Sequence, residues 1–181
     1  MSQRDSGYER KERDLYETPE WVTLALAPHL YEATFQVWEP ACGSGKMVRA
    51  LEKLGLTVFG SDIETGNDFF DRSCDPTEFD AIITNPPYVA ASEFIVHALD
   101  QNVTTVAMLL RTDFDHAKSR QHLFQDSRFA KKVVLTRRIK WFEDSKGQPS
   151  FNHAWFIWES GHVGPPTLAY GPAHVGDAPK P

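Results

Sequence analysis

Short apolar runs that favour β-strands alternate with helical patterns along this chain of 181 residues. Because a helix between two strands returns the chain to the same edge of a sheet, the alternation favours parallel pairing with both faces covered. The last two runs follow one another without a helix, so one of them is predicted to be antiparallel. We therefore predict an α/β fold built on a doubly wound, mostly parallel sheet with one antiparallel strand. The predicted strands are 36–41, 56–64, 79–87, 103–111, 131–142 and 152–159, and the predicted helices are 18–30, 43–55, 91–102 and 116–129.

Composition divides the chain into three parts. Residues 1–14 are charged and lack apolar periodicity, which predicts a flexible N-terminal arm. Residues 15–159 contain the predicted strands and helices and are interpreted as the folded domain. Residues 160–181 hold 4 glycines and 5 prolines, which predicts a partly ordered tail.

Cysteine usage and hydropathy indicate the compartment. Cys42 and Cys74 have neither a metal-binding spacing nor a disulfide framework, which favours a reducing environment. No stretch approaches the roughly 18 apolar residues of a membrane span, and the polar N-terminus is unlike a signal peptide. We therefore expect a cytoplasmic protein with no membrane partner and no metal site.

The formal net charge of −6 hides a basic block at 111–140. This block carries 9 basic and 3 acidic side chains, whereas residues 1–110 carry 8 basic and 18 acidic ones. Such a block is either the electrostatic footprint of a polyanionic partner or a solvated helix face with a lysine-bearing edge strand. Charge alone leaves both interpretations open.

The first of four motifs that follow predicted strands is "EPACGSG" at 39–45. Ligands bind a doubly wound sheet at the carboxyl ends of its strands, and this motif follows the first strand. Gly43 and Gly45 allow a sharp turn and a close approach of the backbone to a ligand. The motif is not the dinucleotide fingerprint, because Val48 stands at its third glycine position, and it is not a P-loop.

Two acidic motifs follow the second strand. In "SDI" at 61–63, Asp62 stands where a carboxylate can accept hydrogen bonds from the hydroxyls of a ribose, with Glu64 as its competitor. In "NDFF" at 67–70, Asp68 can accept from an exocyclic amine, and Phe69 can supply an apolar wall.

The fourth motif is "NPPY", Asn85 to Tyr88, at the end of the third strand. Pro86 and Pro87 fix φ twice and lack N–H donors, so the strand cannot continue its hydrogen bonds. Asn85 precedes a proline and is driven towards an extended conformation. The result is a rigid corner that presents an amide and an aromatic ring, or else a simple strand-terminating turn.

In this order, the motifs resemble those of class I S-adenosylmethionine-dependent methyltransferases, and among them the amino-methyltransferases typified by DNA N6-adenine enzymes. "YETPEWV" at 16–22 resembles the motif before the first strand, "EPACGSG" the methionine-contacting loop, "SDI" the ribose-binding acid, "NDFF" the adenine-contacting segment and "NPPY" the catalytic motif. The resemblance implies a seven-stranded Rossmann-like methyltransferase fold, with 15–159 as the catalytic domain and S-adenosylmethionine as cofactor. The implied cofactor-binding residues are Tyr16, Thr18, Pro19, Glu39, Pro40, Ala41, Cys42, Gly43, Gly45, Asp62, Ile63, Asp68, Phe69 and Asn85.

The corner suits methylation of an aromatic amine, which is a poor nucleophile because its lone pair is delocalised. The Asn85 side-chain oxygen and the Pro86 carbonyl can accept the two amine hydrogens, while Tyr88 stacks on the base. The expected catalytic residues are Asn85, Pro86, Pro87 and Tyr88. The expected substrate-binding residues are Tyr88, Arg111, Arg137, Arg138, Trp141 and Phe142, with Phe151 as a further candidate for stacking on the base.

The resemblance implies DNA as partner, with the target base single-stranded or flipped out of the duplex. DNA enzymes of this kind usually carry a target recognition domain, for which this chain has no room, so a separate specificity subunit or a homodimer is expected. Methylation of an RNA base, or of a protein glutamine as in the release-factor methyltransferases, stays open. The alternative of a different class is a cofactor-binding subunit of a modification complex without independent turnover.

Overall fold

The structure, a computed structural model, describes residues 16–71, 78–141 and 151–171. The predicted arm at 1–14 and the predicted substrate residue Phe142 lie outside the described residues. Within these three ranges, no helix has the length and apolar character needed to cross a membrane.

Seven strands and four α-helices form the described part of the chain. The strands are β1 Gln36–Glu39, β2 Thr57–Gly60, β3 Ala81–Thr84, β4 Thr105–Arg111, β5 Phe129–Leu135, β6 His153–Glu159 and β7 Thr167–Gly171. The α-helices are α1 Glu20–Leu24, α2 Lys46–Glu52, α3 Ala91–Leu99 and α4 Gln121–Gln125. Short 3₁₀ turns lie at Ala27–His29, Ile63–Thr65, Tyr88–Ala90, Phe114–His116 and Lys118–Arg120.

The strands form one sheet in the order β2-β1-β3-β4-β6-β5-β7. β1 to β4 pair in parallel, β6 is antiparallel to β4 and β5, and β7 is parallel to β5. The predicted seven-stranded, doubly wound sheet with one antiparallel strand is therefore confirmed. The chain leaves β1 for one side of the sheet and β3 for the other, so the topological switch point lies between β1 and β3.

The seventh strand comes from the segment that composition predicted to be a tail. β7 pairs along its whole length with β5, from Lys131 opposite Thr167 to Leu135 opposite Gly171. Gly171 allows this close packing, because a Cβ there would lie 3.2 Å from Leu135 Cδ2. The sheet therefore continues past residue 159, into a Gly- and Pro-rich segment that carries no apolar alternation.

Several elements are shorter than predicted. The predicted helix at 18–30 is α1 followed by a 3₁₀ turn at Ala27–His29, where Pro28 has no N–H to continue an α-helix. Of the predicted helix at 116–129, only Gln121–Gln125 is α-helical, because 3₁₀ turns at Phe114–His116 and Lys118–Arg120 precede it and β5 begins at Phe129. The predicted strand at 131–142 ends at Leu135, where its partner β7 also ends.

Two apolar clusters cover the two faces of the sheet. One contains Trp38, Ile82, Met108, Phe156 and Trp158, packed against α3 and α4. The other contains Val37, Ile83, Leu109, Trp155 and Ile157, packed against α1 and α2. The two tryptophan rings also tie helices to the sheet, since Trp155 Nε1 donates to Val22 O and Trp158 Nε1 to Leu123 O, each at 2.9 Å. A core on both faces holds the carboxyl ends of the strands in fixed positions.

Candidate active site at the carboxyl ends of the strands

Glu39 and Thr84 meet at the switch point, at the ends of β1 and β3. Glu39 is only 1% exposed. The Thr84 hydroxyl donates to Glu39 Oε1 at 2.5 Å, and the Ala41 N–H donates to the same oxygen at 3.4 Å. Burial raises the pKa of Glu39 to about 8, and the charge of Asp62 adds to the rise. Glu39 is therefore a neutral acid at pH 7.

The glycine loop follows Glu39 in the chain, and its Ala41 N–H donates to the Glu39 carboxyl. Gly43 and Gly45 have φ of 49° and 79°, in the left-handed region that glycine adopts without strain. The Gly45 N–H donates to Cys42 O at 2.8 Å, and α2 begins at the next residue. The end of β2 passes close by, because a Cβ on Gly60 would lie 3.3 Å from Cys42 Cβ and 2.9 Å from Val48 Cγ2.

Asp62 holds the glycine loop to the end of β2. Its Oδ2 accepts the Gly43 N–H at 2.9 Å, and its Oδ1 accepts the Glu64 N–H at 2.9 Å. The second bond caps the 3₁₀ turn Ile63–Thr65. A carboxylate has about four acceptor positions, so these two bonds leave capacity for a ligand. Ile63 is 68% exposed beside it.

The "NDFF" segment places its two predicted residues differently. Asp68 is exposed, and its Oδ1 accepts the Phe70 N–H at 3.0 Å. Phe69 is 2% exposed and packs against Trp38 and Phe94, with ring centroids 5.0 and 4.8 Å away. The Phe69 ring therefore belongs to the apolar core, and the neighbouring Phe70 ring is the exposed one, at 43%.

Asn85 and Tyr88 form the corner that ends β3. The Asn85 Nδ2 donates to the main-chain oxygen of Tyr16 at 3.1 Å. Pro86 is buried, and Pro87 begins the 3₁₀ turn Tyr88–Ala90. The Tyr88 side chain is 52% exposed. The corner thus combines a fixed amide with an accessible aromatic ring.

The segment that begins at Tyr16 lies against both the corner and the glycine loop. Glu17 Oε2 lies 2.6 Å from Lys46 Nζ at the start of α2, and hydrogen bonds from Lys46 and Ser44 lower the pKa of Glu17. Glu20 pairs in the same way with Lys53, at 2.8 Å. Thr18 is buried and Pro19 precedes α1. The predicted cofactor motifs at 16–22 and 39–45 are therefore brought together.

Arg111 reaches the corner from the end of β4. Its guanidinium binds Asp113 through two hydrogen bonds, of 3.0 and 2.6 Å. The guanidinium carbon lies 3.9 Å from the ring centroid of Phe151 and 5.9 Å from that of Tyr88. The structure thus places three predicted substrate-binding side chains, Tyr88, Arg111 and Phe151, next to one another.

The other predicted substrate residues that the structure describes lie beyond β5. The Arg137 guanidinium carbon is 5.2 Å from the Trp21 ring centroid, and Arg138 Nε donates to Asn152 Oδ1 at 3.0 Å. Trp141 is half-buried between Tyr16 and His153, with centroids 5.4 and 5.2 Å away. Burial lowers the pKa of His153 to about 4, with the charge of Arg111 as a further cause. Trp141 therefore links Tyr16, next to the corner, with His153 at the start of β6.

Three residues of the site were not predicted from the sequence: Glu17, Thr84 and Asp113. Thr84 immediately precedes the Asn-Pro-Pro-Tyr motif, and a hydroxyl at a strand end beside a buried acid is a detectable signal. The pairings Glu17–Lys46 and Arg111–Asp113 depend on loop geometry that has no local sequence signal. In the described part of the chain, no group of three or more His, Cys, Asp or Glu side chains could hold a metal ion.

Comparison with solved structures relates this architecture to known proteins. A Listeria monocytogenes protein assigned as a class I S-adenosylmethionine-dependent methyltransferase matches with a TM-score of 0.59 at 14% identity, over 87% of this chain and 65% of that one. A chain from a structure of a type I R-M system matches with a TM-score of 0.56 at 14% identity, over 86% of this chain and 44% of that one. This chain has the class I methyltransferase fold.

The methyltransferase fold is thus shared at low sequence identity. This chain spans about two thirds of the Listeria protein and less than half of the chain from the R-M system. No protein-family model and no curated protein matches the sequence.

Proposed function

We propose that this protein transfers a methyl group from S-adenosylmethionine to an exocyclic amino nitrogen, with adenine N6 of DNA as the substrate. The observation that carries the proposal is the Asn85 amide, whose nitrogen donates to Tyr16 O while its oxygen diverges from the same carbon, three residues before the exposed Tyr88. An oriented oxygen acceptor next to an accessible aromatic ring is the arrangement that an aromatic amine requires.

The residues at the switch point fit the proposed cofactor. Gly43 and Gly45 bring the backbone close to a ligand, and we assign the buried Glu39, which precedes them, to the methionine end. Asp62 has acceptor capacity left for ribose hydroxyls, and the exposed Asp68 for the adenine amine. The cofactor supplies a methyl group already activated on a sulfonium, so the protein mainly supplies alignment.

The substrate side of the corner suits a nucleobase. Tyr88 offers an exposed ring face, and stacking of a base on an aromatic ring contributes about 1–3 kcal/mol. Phe151, 37% exposed, has its ring centroid 3.9 Å from the Arg111 guanidinium carbon and offers a second ring. A base within a duplex cannot reach a corner of this kind, so the target is single-stranded or flipped.

Charge supports a polyanionic substrate. Four basic side chains lie at or beyond the carboxyl ends of β4 and β5: Arg111, Arg137, Arg138 and Lys140. Tyr88 lies at the carboxyl end of the parallel strand β3, so all five side chains are at the same ends of the strands. Other cations of the basic block lie elsewhere, since Arg128 precedes β5 at its amino end and Lys132 is mostly buried beside Asp115. The four residues at the strand ends are therefore those that we assign to phosphates.

Target recognition is proposed to come from a partner. This chain covers 44% of the matched chain from the type I R-M system, a structure described in terms of complex assembly. That likeness favours a separate specificity subunit over a chain that reads its target sequence alone.

The test is methyl transfer from labelled cofactor to matched substrates: single-stranded DNA, duplex DNA, RNA of the same sequence and a glutamine-containing peptide. The proposal predicts label in DNA, recovered as N6-methyladenine by mass spectrometry and formed far more slowly by the Asn85→Ala variant. Label confined to RNA or to the peptide would show that the substrate is RNA or a protein and not DNA. Cofactor binding without label in any substrate would favour a non-catalytic subunit.

A further inference from the structure

The contact between Asn85 and Tyr16 determines how the Asn85 amide is oriented. A main-chain carbonyl oxygen can only accept a hydrogen bond, so the amide atom 3.1 Å from Tyr16 O is the nitrogen. The amide oxygen and nitrogen diverge from one trigonal carbon. Fixing the nitrogen therefore also fixes the direction of the oxygen, the group that would accept a hydrogen from the substrate amine.

The Tyr16 carbonyl is itself held from two directions. The Tyr16 ring packs edge-on against Trp141, with centroids 5.4 Å apart and the planes at 60°. Trp141 packs in turn against His153, which is 8% exposed at the start of β6. On the other side, Glu17 pairs with Lys46 at 2.6 Å. The carbonyl is thus tied to the central sheet and to α2.

We infer that Tyr16, held by Trp141, is a positioning residue that orients the Asn85 amide for methyl transfer. This inference rests on the proposed function and adds to it. The sequence assigned Tyr16 to cofactor binding, whereas the contacts connect it to the group that would meet the substrate. The segment at 16–22 then serves the transfer step itself as well as the cofactor.

The two roles of Tyr16 predict different kinetics. A residue that only binds cofactor changes the cofactor Kd, and saturating cofactor restores the rate. A residue that orients Asn85 changes the rate at saturating cofactor, because a misplacement of about 1 Å at the reacting centre can cost 10²-fold. A residue that only supports the fold changes stability, and the rate then falls with the folded fraction.

The kinetic experiment compares Tyr16→Ala with Tyr16→Phe, which keeps the ring contact on Trp141. We expect Tyr16→Ala to lower the single-turnover rate at saturating cofactor by about 10-fold to 10²-fold, with Tyr16→Phe restoring most of it. Trp141→Leu should follow Tyr16→Ala. The control is Tyr31→Ala, which removes an exposed ring before the amino end of β1, at the opposite ends of the strands from the site. A weaker cofactor Kd with an unchanged saturated rate overturns the inference.

A second readout needs no turnover. The side-chain amide protons of Asn85 can be followed by NMR in ¹⁵N-labelled protein and assigned by their loss in Asn85→Ala. Slow exchange of one proton in the wild type, lost in Tyr16→Ala while thermal melts show a folded protein, supports the inference. Retained protection in Tyr16→Ala and Trp141→Leu overturns it. If the wild type methylates nothing, the proposed function fails, and this readout alone decides the orientation of Asn85.

Discussion

Glu39 ends β1 and Asn85 follows the neighbouring strand β3, but the two side chains differ in burial and in hydrogen bonding. Asn85 is partly buried and uses its amide nitrogen on Tyr16, which leaves its oxygen for a ligand. Glu39 is buried and neutral, with a hydroxyl and an N–H directed at one carboxyl oxygen. A neutral acid beneath the glycine loop can ionise when a cation binds nearby, so its protonation state should respond to both pH and cofactor.

The protonation of Glu39 predicts how stability depends on pH. The folded pKa of about 8 exceeds the ordinary value of 4.5, so folded protein binds the extra proton between these values. The stabilisation that this proton contributes is complete below pH 4.5 and is lost as the pH rises through about 8. The free energy of unfolding then falls by at most about 1.4 kcal/mol per pH unit. His153, with a folded pKa of about 4 against 6.5, acts in the opposite sense below pH 6.5.

Denaturant unfolding between pH 7 and 8.5 isolates Glu39 from His153. We expect the free energy of unfolding of the wild type to fall over this range, and that of Glu39→Gln, which keeps the hydrogen-bonding shape without the charge, to stay flat. Parallel curves for the two proteins would show that Glu39 is ionised in the folded state.

Asp62 predicts the strength of cofactor binding. We expect Asp62→Ala to weaken S-adenosylmethionine binding by on the order of 1.5–3 kcal/mol in calorimetry, the cost of losing a charged hydrogen-bond partner. Part of this loss acts through Gly43, whose N–H the carboxylate holds at 2.9 Å. Glu64→Ala is the matched control, and a larger loss there would transfer the ribose role to Glu64.

At the scale of elements, the strand ends of β4 and β5 place the basic side chains. Arg137 and Arg138 follow β5 at the carboxyl edge, whereas Lys131 lies near the amino end of the same strand. If the substrate is a nucleic acid, Arg137→Glu and Arg138→Glu should weaken binding and flatten its salt dependence. Lys131→Glu changes charge equally at the opposite edge and should have less effect. If binding by all three variants depends equally on salt concentration, Arg137 and Arg138 do not bind phosphates.

Because β7 pairs with the sheet, a substitution beyond residue 159, the predicted end of the domain, should change stability. A Cβ at Gly171 would lie 3.2 Å from Leu135 Cδ2 and 3.4 Å from Ala25 Cβ, so Gly171→Val should overpack this junction. We expect a loss of about 1–3 kcal/mol in denaturant unfolding. Leu168→Val, at a side chain that is 59% exposed, is the control. An unchanged Gly171→Val would mean that β7 contributes little to the sheet.

At the scale of the whole molecule, the alternation of strands and helices was sufficient to predict the sheet and its antiparallel strand. Strong apolar runs such as 79–87 and 103–111 identify buried central strands, because both of their faces must be apolar. β7 escaped prediction because it is an edge strand whose side chains are mostly exposed. Its pairing is specified by β5 rather than by its own pattern.

The candidate site was predictable as a set of strand ends but not as a set of contacts. The motifs name Asn85, Asp62 and the glycine loop, and parallel pairing brings their strand ends to one edge. Whether a side chain in such a motif points to the crevice or to the core depends on local turns, and Phe69 lies in the core. The contact between Arg111 and Phe151 depends on the register of β4 against β6, which no local pattern reveals.

Asn85 is proposed to be a catalytic acceptor rather than part of a structural corner. The most direct measurement is the single-turnover rate of methyl transfer to an adenine-containing DNA oligonucleotide by wild type and Asn85→Ala, at saturating cofactor. We expect the rate of Asn85→Ala to be lower by about 10²-fold or more, the scale for losing one preorganised polar contact, with cofactor affinity and thermal stability nearly unchanged. A stable Asn85→Ala protein that transfers methyl groups at the wild-type rate would contradict it.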